Sequence, residues 1–412
     1  MNFDVCIIGS GPAGLLAAIE ASKAGARCVI LEKNSTAGRK LLCTGRGRCN
    51  ITHEGTAKEL VADYGDSGRF LRYCLHEFSP TDLCEMFSQN RLAMKVEKGG
   101  YVFPLTDRAS DVKRVLLDMA RRSGAEFIYG KGVRSIYKRT GEFVIDTGKV
   151  RIESKAVIIA TGGLSWPETG STGDGYEFAR QFDHDIVEPM AALVPLVTQE
   201  KWPWSLQGIG VKNVRINAMV DGKKIHSAGP MMFTNSGIGG PAVFDLSRLI
   251  TRSFTDTAKL FEITIDLLDG TDHHQLDEIL KAKCAEHPKK EIAWVLVNLV
   301  PRSLGITLCE MVDPERAIRT NQLSKDKRTE LTSLLKTLPL TIRSTRPIKE
   351  AVITSGGVST EQIDEKTMQS TLCEGLYFAG EVIDVDGPCG GYNLQIAWST
   401  GALAGRSAGK IL

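Results

Sequence analysis

The string Gly9-x-Gly11-x-x-Gly14 stands between an apolar run, Phe3-Asp4-Val5-Cys6-Ile7-Ile8, and an alanine- and leucine-rich stretch, Leu15 to Ala24. Glycines at this spacing serve a diphosphate: Gly9 permits the tight turn, Gly11 lets backbone approach the phosphates, and Gly14 lets the helix pack closely. Ser10, Pro12 and Ala13 complete the turn. The start of the helix then aims unpaired N–H groups at an anion. A second apolar run, Arg27 to Leu31, leads into Glu32 and Lys33. A carboxylate about twenty residues beyond the glycines accepts hydrogen bonds from ribose hydroxyls and favours an unphosphorylated ribose. The glycine spacing alone marks only a strand-to-helix turn. With strand, helix, second strand and terminal acid in register, it reads as a dinucleotide site.

Two further glycine-rich segments follow apolar runs. Ala160-Thr161-Gly162-Gly163 follows Ala156-Val157-Ile158-Ile159, and Gly380-Glu381-Val382-Ile383-Asp384 follows Leu376-Tyr377-Phe378-Ala379. They resemble the second and third signatures of two-dinucleotide-binding-domain flavoproteins, a resemblance that implies FAD rather than NAD. It places Gly380, Glu381 and Asp384 at the cofactor, with Asp384 reaching the ribityl chain or the diphosphate. Gly390-Gly391-Tyr392-Asn393-Leu394 opens a closing helix whose N-terminus is expected at the flavin pyrimidine edge. Reduced flavin carries negative charge there, which a helix N-terminus favours.

Between these segments lies Gly38-Arg39-Lys40-Leu41-Leu42-Cys43-Thr44-Gly45-Arg46-Gly47-Arg48-Cys49-Asn50-Ile51-Thr52, within a loop too long for a connector. This string closely resembles the signature of the HI0933-like flavoprotein family, whose members include aminoacetone-oxidase-like and 3-dehydro-bile-acid Δ4,6-reductase-like enzymes. The likeness extends to Val157 to Ser165, Phe233 to Ala242, Thr354 to Val358 and Gly390 to Gln395, and so runs from end to end; Pro388-Cys389 is a departure. It implies a split FAD domain with a β-barrel and helical insert. Read from the residues, Arg39, Lys40, Arg46 and Arg48 form either a solvated or nucleic-acid-binding basic loop or a device for FAD and anionic flavin. Their place beside a phosphate-binding turn favours the second, with Lys40, Arg46 and Arg48 flanking the isoalloxazine. Cys43 and Cys49 are too far apart for a CxxC redox motif and are expected to be buried small residues. Thr169 to Tyr176, before a helix expected over Glu177 to Phe182, reads equally as a loop close to the cofactor and as an ordinary turn.

Composition narrows the field. The chain has 412 residues with 41 glycines, about one in ten against a usual ~7%. Lys plus Arg at 51 against Asp plus Glu at 49 gives a net +2, so no global field holds a polyanion. Hydrophobic residues at 42% and charged residues at 24% describe a soluble, folded chain. The ten cysteines are too dilute for a disulfide scaffold and, with no apolar leader or span, the reducing cytoplasm is the default. The paired His273-His274 lack a third ligand, so no metal is expected. No GxSxG or P-loop string suggests a hydrolase or NTPase.

The fold expected is α/β: a split Rossmann-like FAD-binding domain with an inserted β-barrel and small helical subdomain. Asp111 to Arg122 reads as helix, Ala125 to Tyr129 as the third parallel strand, and Val133 to Lys155 as a hairpin or meander before the core strand Ala156 to Ala160. Residues 1–190 and 354–412 are assigned to the FAD domain. Residues 191–353 form the insert, its barrel from 191–270 and 336–353 and its helices from 271–335, with Leu276, Ile279, Leu280, Ile292, Val295, Leu296 and Leu299 at helical spacing. The leading function is a reductase of an activated C=C or carbonyl in a small hydrophobic substrate, with NAD(P)H as a transient electron donor. The alternatives are oxidation of a small amine by oxygen and a flavin-dependent RNA-modification or RNA-binding role. No nucleic acid and no membrane is expected as partner, and oligomeric state is left open. The substrate is expected between FAD domain and insert, with Lys40, Thr234, Asn235, Arg346 and Tyr392 as pocket candidates.

Overall fold

Strands covered on both faces need continuous apolar runs, and the three longest such runs near the N-terminus and the middle of the chain pair side by side. In the computed structural model, which describes residues 1–220, 222–255, 260–314 and 318–410, the strand Asn2–Ile8 lies parallel to Cys28–Glu32 on one side and Arg151–Ile159 on the other. Val5 faces Cys28, and Ile8 faces both Leu31 and Ile159. Glu126–Tyr129 extends the sheet beyond Cys28–Glu32, in parallel register Val29 to Glu126. The strand Arg151–Ile159 changes partners along its length. Its first half takes Glu142–Asp146 antiparallel, while Val157 to Ile159 take Leu376–Phe378 in parallel. The core strand expected at Ala156 is therefore the third strand of the meander itself.

The chain forms two compact units, Met1–Ala191 with Ile348–Leu412, and Ala192–Pro347. The second crossing falls at 347/348, where the change of sequence texture suggested 353/354. In the first unit the helix Pro12–Lys23 packs along the last helix, Tyr392–Ala408. Gly401 and Gly405 repeat at four residues and so share one face. A Cβ on Gly401 would stand 2.4 Å from the Ala13 carbonyl oxygen, and one on Gly405 2.3 Å from that of Ala17. Small residues thus let the first and last helices of the unit touch backbone to backbone.

Residues 52–104 contribute elements not anticipated from apolar periodicity: helices Ala57–Asp63, Gly68–Glu77 and Pro80–Gln89, and a small sheet of Thr52–His53, Tyr101–Pro104 and Met94–Glu97. The signals were local. Thr56 with Glu59, and Ser79 with Asp82, are complete capping boxes.

In the second unit six strands close an antiparallel barrel: Leu196–Thr198, Gly237–Gly239, Lys223–Thr234, Gly210–Val220, Phe261–Asp266 and Leu338–Thr345. Alternate residues Val214, Ile216 and Ala218, then Phe261, Ile263 and Ile265, then Leu338, Leu340 and Ile342, fill its interior. Helices His273–Glu286, Ile292–Leu296, Arg302–Val312 and Lys325–Lys336 bury Leu276, Leu280, Val295, Leu296, Leu304, Leu308, Leu331 and Leu335. Ile279, expected in this core by spacing, is exposed instead, because Leu276 and Leu280 already occupy the inward face.

His184 is buried in the first unit, its Nε2 2.9 Å from Ser370 Oγ and its Nδ1 3.3 Å from the Ala179 carbonyl. Ser370 Oγ already accepts the Leu372 and Cys373 N–H groups. The hydroxyl therefore donates to Nε2, and the proton of a neutral imidazole sits on Nδ1. Burial holds the His184 pKa below its usual value.

Two outcomes are expected. Helix propensity alone would have Gly405→Ala stabilise by about 1 kcal/mol. The contact with Ala17 reverses the sign, so the urea midpoint should fall, by about 1–3 kcal/mol in stability. For His184, the unfolded chain takes up a proton near pH ~6.5 where the folded chain does not, so its contribution is complete above that pH and lost below it. Between pH 7 and 5 the urea midpoint of His184→Gln should decline less steeply than that of the wild type.

Candidate dinucleotide site

The three glycines of the N-terminal turn differ in what requires them. A Cβ on Gly9, at φ +102°, would lie 2.4 Å from the Ala160 carbonyl oxygen, and one on Gly14 would lie 2.0 Å from that of Gly9. These two are demanded by the protein's own packing. Gly11, at φ −73°, caps the helix Pro12–Lys23 without a side-chain bond, and a Cβ there would meet nothing within 4 Å. Open space before an uncapped helix start is the cradle a diphosphate fills.

Glu32 is fully used by the protein. Ser10 N donates to Oε2 at 3.1 Å together with Ser10 Oγ, and Asn34 N and Nδ2 donate to Oε1, each at 2.8 Å. It ties the glycine turn to the second strand, a role missed by reading it only as a ribose acceptor; a ribose diol would have to displace one of these donors. Gly38 N donates to the Ser10 carbonyl, extending the support. Lys33 pairs with Asp174 at 2.8 Å, and Arg39 donates to Asn34 Oδ1. Asn34 Nδ2 also donates to the Thr169 carbonyl at 3.1 Å, so the loop Thr169–Gly173 is bonded just beyond the end of the second strand. Its helix runs Asp174–Arg180 rather than Glu177–Phe182, since the left-handed Gly173 at φ +82° caps it.

Within residues 40–50 the backbone turns left-handed at Gly45, Arg46, Gly47 and Cys49. Thr44 Oγ1 bonds the Leu41 carbonyl, which steadies the turn. The four cations part company. Arg48 pairs with Glu97 and Asp107, its guanidinium 3.9 Å from the Phe103 ring centre, in a network that includes Lys95. Arg46 extends exposed, and Arg39 is bound as described. Cys49 is buried and its thiol pushed up to about 12 by desolvation, so it carries no thiolate; Cys43 is exposed, against the expectation of burial. Asn50 Oδ1 is buried with no partner among the described residues.

Lys40 reaches a cluster assembled from distant segments. Its Nζ lies 2.5 Å from Glu381 Oε2 and 2.6 Å from Ser165 Oγ. Ser165 Oγ donates to Glu381 Oε1 at 2.9 Å, as does Thr354 N. Thr354 Oγ1 accepts the Leu164 and Ser165 N–H groups, and a Cβ on Gly163 would sit 2.4 Å from it. Ser165 and Thr354 join this cluster, although glycine spacing did not single them out. Two of the three N–H donors of Lys40 are satisfied, and the third has no partner among the described residues.

At the C-terminal signature, Gly380 N donates to Thr400 Oγ1, and Asp384 N to the Val358 carbonyl. A Cβ on Gly391 would stand 2.3 Å from the Thr52 carbonyl, so this helix start is bound to the 38–52 loop. The Tyr392 ring stacks on His53 at 4.7 Å and its hydroxyl donates to Asp63 at 2.7 Å. Asn393 closes its own turn by two bonds to Gly387. Leu394 is half-buried against the core. Thr234, Asn235 and Arg346 belong to the second unit, where Arg346 N bonds the Pro195 carbonyl at the barrel.

The open cradle at Gly11, the unmet Asn50 Oδ1 and the carboxylate–lysine cluster beyond the strand ends fit a dinucleotide cofactor, and the fold is that of the flavoprotein oxidoreductases. Over residues 3–407 the chain matches the HI0933-like protein Rossmann domain, and it belongs to that family. It is 32% identical over 408 residues, covering 98% of both chains, to a 3-dehydro-bile acid delta(4,6)-reductase of Clostridium scindens. It is also 31% identical over 401 residues, covering 96% of this chain and 95% of the relative, to a ribosomal RNA dihydrouridine synthase of Haemophilus influenzae. In fold it resembles a 3-ketosteroid-delta4-(5alpha)-dehydrogenase of Rhodococcus jostii, with TM-score 0.51 at 15% identity over 99% of this chain and 97% of that one. The protein is an oxidoreductase of the FAD-dependent class.

Glu381→Gln removes the charge that holds Lys40 and leaves its ammonium short of an acceptor. Urea unfolding should show a loss of about 1–2 kcal/mol, modest because the pair is partly exposed.

Proposed function

We propose that the protein reduces a carbon–carbon double bond conjugated to a carbonyl in a small hydrophobic substrate, with NAD(P)H as the electron source. The observation that carries this reading is the pair of relatives matched over at least 95% of their lengths. One is named for reduction of a bile acid bearing a 3-dehydro group, the other for making dihydrouridine, and in both the double bond that is reduced is conjugated to a carbonyl. FAD, when bound, supplies the hydride. Gly9, Gly11 and Gly14 provide the cradle for its diphosphate, and Asn50 offers an acceptor. Hydride addition to such a substrate drives charge onto oxygen. Lys40, oriented by Glu381 and Ser165, keeps one ammonium N–H for an anionic ligand oxygen.

The second reading, a uridine in ribosomal RNA, is favoured by the Haemophilus influenzae relative and by an Escherichia coli relative 29% identical over 401 residues. The bond reduced in uridine is itself conjugated to a carbonyl, so the two readings differ in what delivers it.

Anaerobic stopped-flow absorbance separates them. NAD(P)H should bleach the FAD-loaded protein, and a steroid-type enone should restore the oxidised flavin while yielding the saturated ketone. Restoration by an unmodified ribosomal RNA fragment, with enones inert, would establish the RNA reading. Bleaching by aminoacetone with peroxide release in air would sink both.

A further inference from the structure

Tyr176 is 4% exposed, and its hydroxyl has no hydrogen-bond partner among the described residues. An unmet buried hydroxyl is costly, so the position calls for an acceptor. Burial, with the carboxylates of Glu381 and Asp384 nearby, holds the phenol pKa well above its usual value, and the group is a donor at neutral pH.

Its place in the fold says which acceptor. The residue before it, Gly175, leaves no room for a side chain: a Cβ would lie 2.1 Å from Thr161 Oγ1 and 2.8 Å from Val382 Cγ2. Thr161 follows the strand Arg151–Ile159 and Val382 follows Leu376–Phe378, and these strands pair in parallel, Ile159 against Phe378. Tyr176 thus sits at the carboxyl ends of two neighbouring parallel strands, where open sheets of this type bind ligands. The Gly9 turn ends the adjacent strand, and Glu32 ends the strand beyond it on the opposite side. Asp174, at the start of the helix that holds Tyr176, reaches the Glu32 end through Lys33, but the carboxylates that act on the Tyr176 phenol are those of Glu381 and Asp384. A dinucleotide with its diphosphate at Gly11 and its adenosine toward Glu32 therefore carries its other half toward the Tyr176 hydroxyl.

We propose that the Tyr176 hydroxyl donates a hydrogen bond to the ribityl–flavin half of bound FAD. The assignment rests on the FAD reading of the site and gives a specific role to a residue of the Thr169 to Tyr176 segment, which the sequence left open between a cofactor loop and an ordinary turn. The bond would be made only with ligand present, so the hydroxyl contributes to cofactor retention and nothing to the fold of the apoprotein.

Tyr176→Phe removes that oxygen alone. The apoprotein of the variant should melt at the wild-type temperature or higher, since an unmet polar group has been deleted. Its FAD dissociation constant, read by flavin fluorescence quenching during titration, should rise about three- to tenfold. ADP, which lacks the ribityl–flavin half, should bind both proteins equally. Unchanged FAD affinity overturns the proposal while leaving FAD as the cofactor. Equal losses for ADP and FAD overturn it too, as does an apoprotein melting several degrees lower, which would mean the hydroxyl is already satisfied within the protein. A wild-type chain that takes up no FAD overturns the cofactor reading and this inference with it.

Discussion

The backbone of Gly9 presses against Ala160 and is in turn pressed by Gly14, and the rest of the first unit is arranged around that contact. Three parallel strands meet there, so the strand ends Ile8, Leu31 and Ile159 come level. Any side chain at Gly9 or Gly14 would lift the helix Pro12–Lys23 off the sheet. With the helix seated, its uncapped first turn opens beside Gly11, the one of the turn's three glycines with room around it. The chemistry of the site follows from a packing constraint: the anion cradle is the space left when two glycines have been used to bring backbone together.

The same level edge collects polar groups from every part of the unit. Lys40 comes from the loop after the second strand, Ser165 from the loop after the strand Arg151–Ile159, and Thr354 and Glu381 from the returning C-terminal segment. Glu381 accepts three hydrogen bonds, so its carboxylate is held and Lys40 with it. Charge-assisted bonds of this kind are strong where water is partly excluded. The last helix secures the arrangement, since Trp398 Nε1 bonds the Ile51 carbonyl and Thr52 Oγ1 bonds Gln395. Chain ends separated by an entire inserted unit thereby support one edge.

Spacing exposed much of this order and misassigned some of it. The βαβ opening, the parallel third strand, the closing helix and the barrel strands were legible because their periods of apolar residues differ, near 2 or continuous in strands and near 3.6 in helices. The stretch Ala57 to Gln89 was not, although its capping boxes were in plain sight, because short amphipathic helices between strands give weak periodic signals. The cations of the 38–52 loop were recognised as a group, yet they have separate fates. Arg48 is drawn to Glu97, at the end of a small-sheet strand, and to Asp107, in the turn beyond that sheet, partners that charge counting does not reveal. Tyr392, which opens the last helix, was a natural pocket candidate by position; its stacking on His53 and its bond to Asp63 were not legible in the sequence.

The linear order of residues was sufficient to specify the turn chemistry: a glycine that must be left-handed, a helix that must start without a cap, an acid that must end a strand. These are properties of a few consecutive residues, dictated by sterics and local hydrogen bonding. Which side chains share a hydrogen bond was settled by folding alone. Lys40 and Glu381 are more than three hundred positions apart, and Glu32 turned from ribose acceptor into internal clasp only when Ser10 and Asn34 came within reach. Partnership across such distances depends on sheet register and helix contact, quantities that no local window contains.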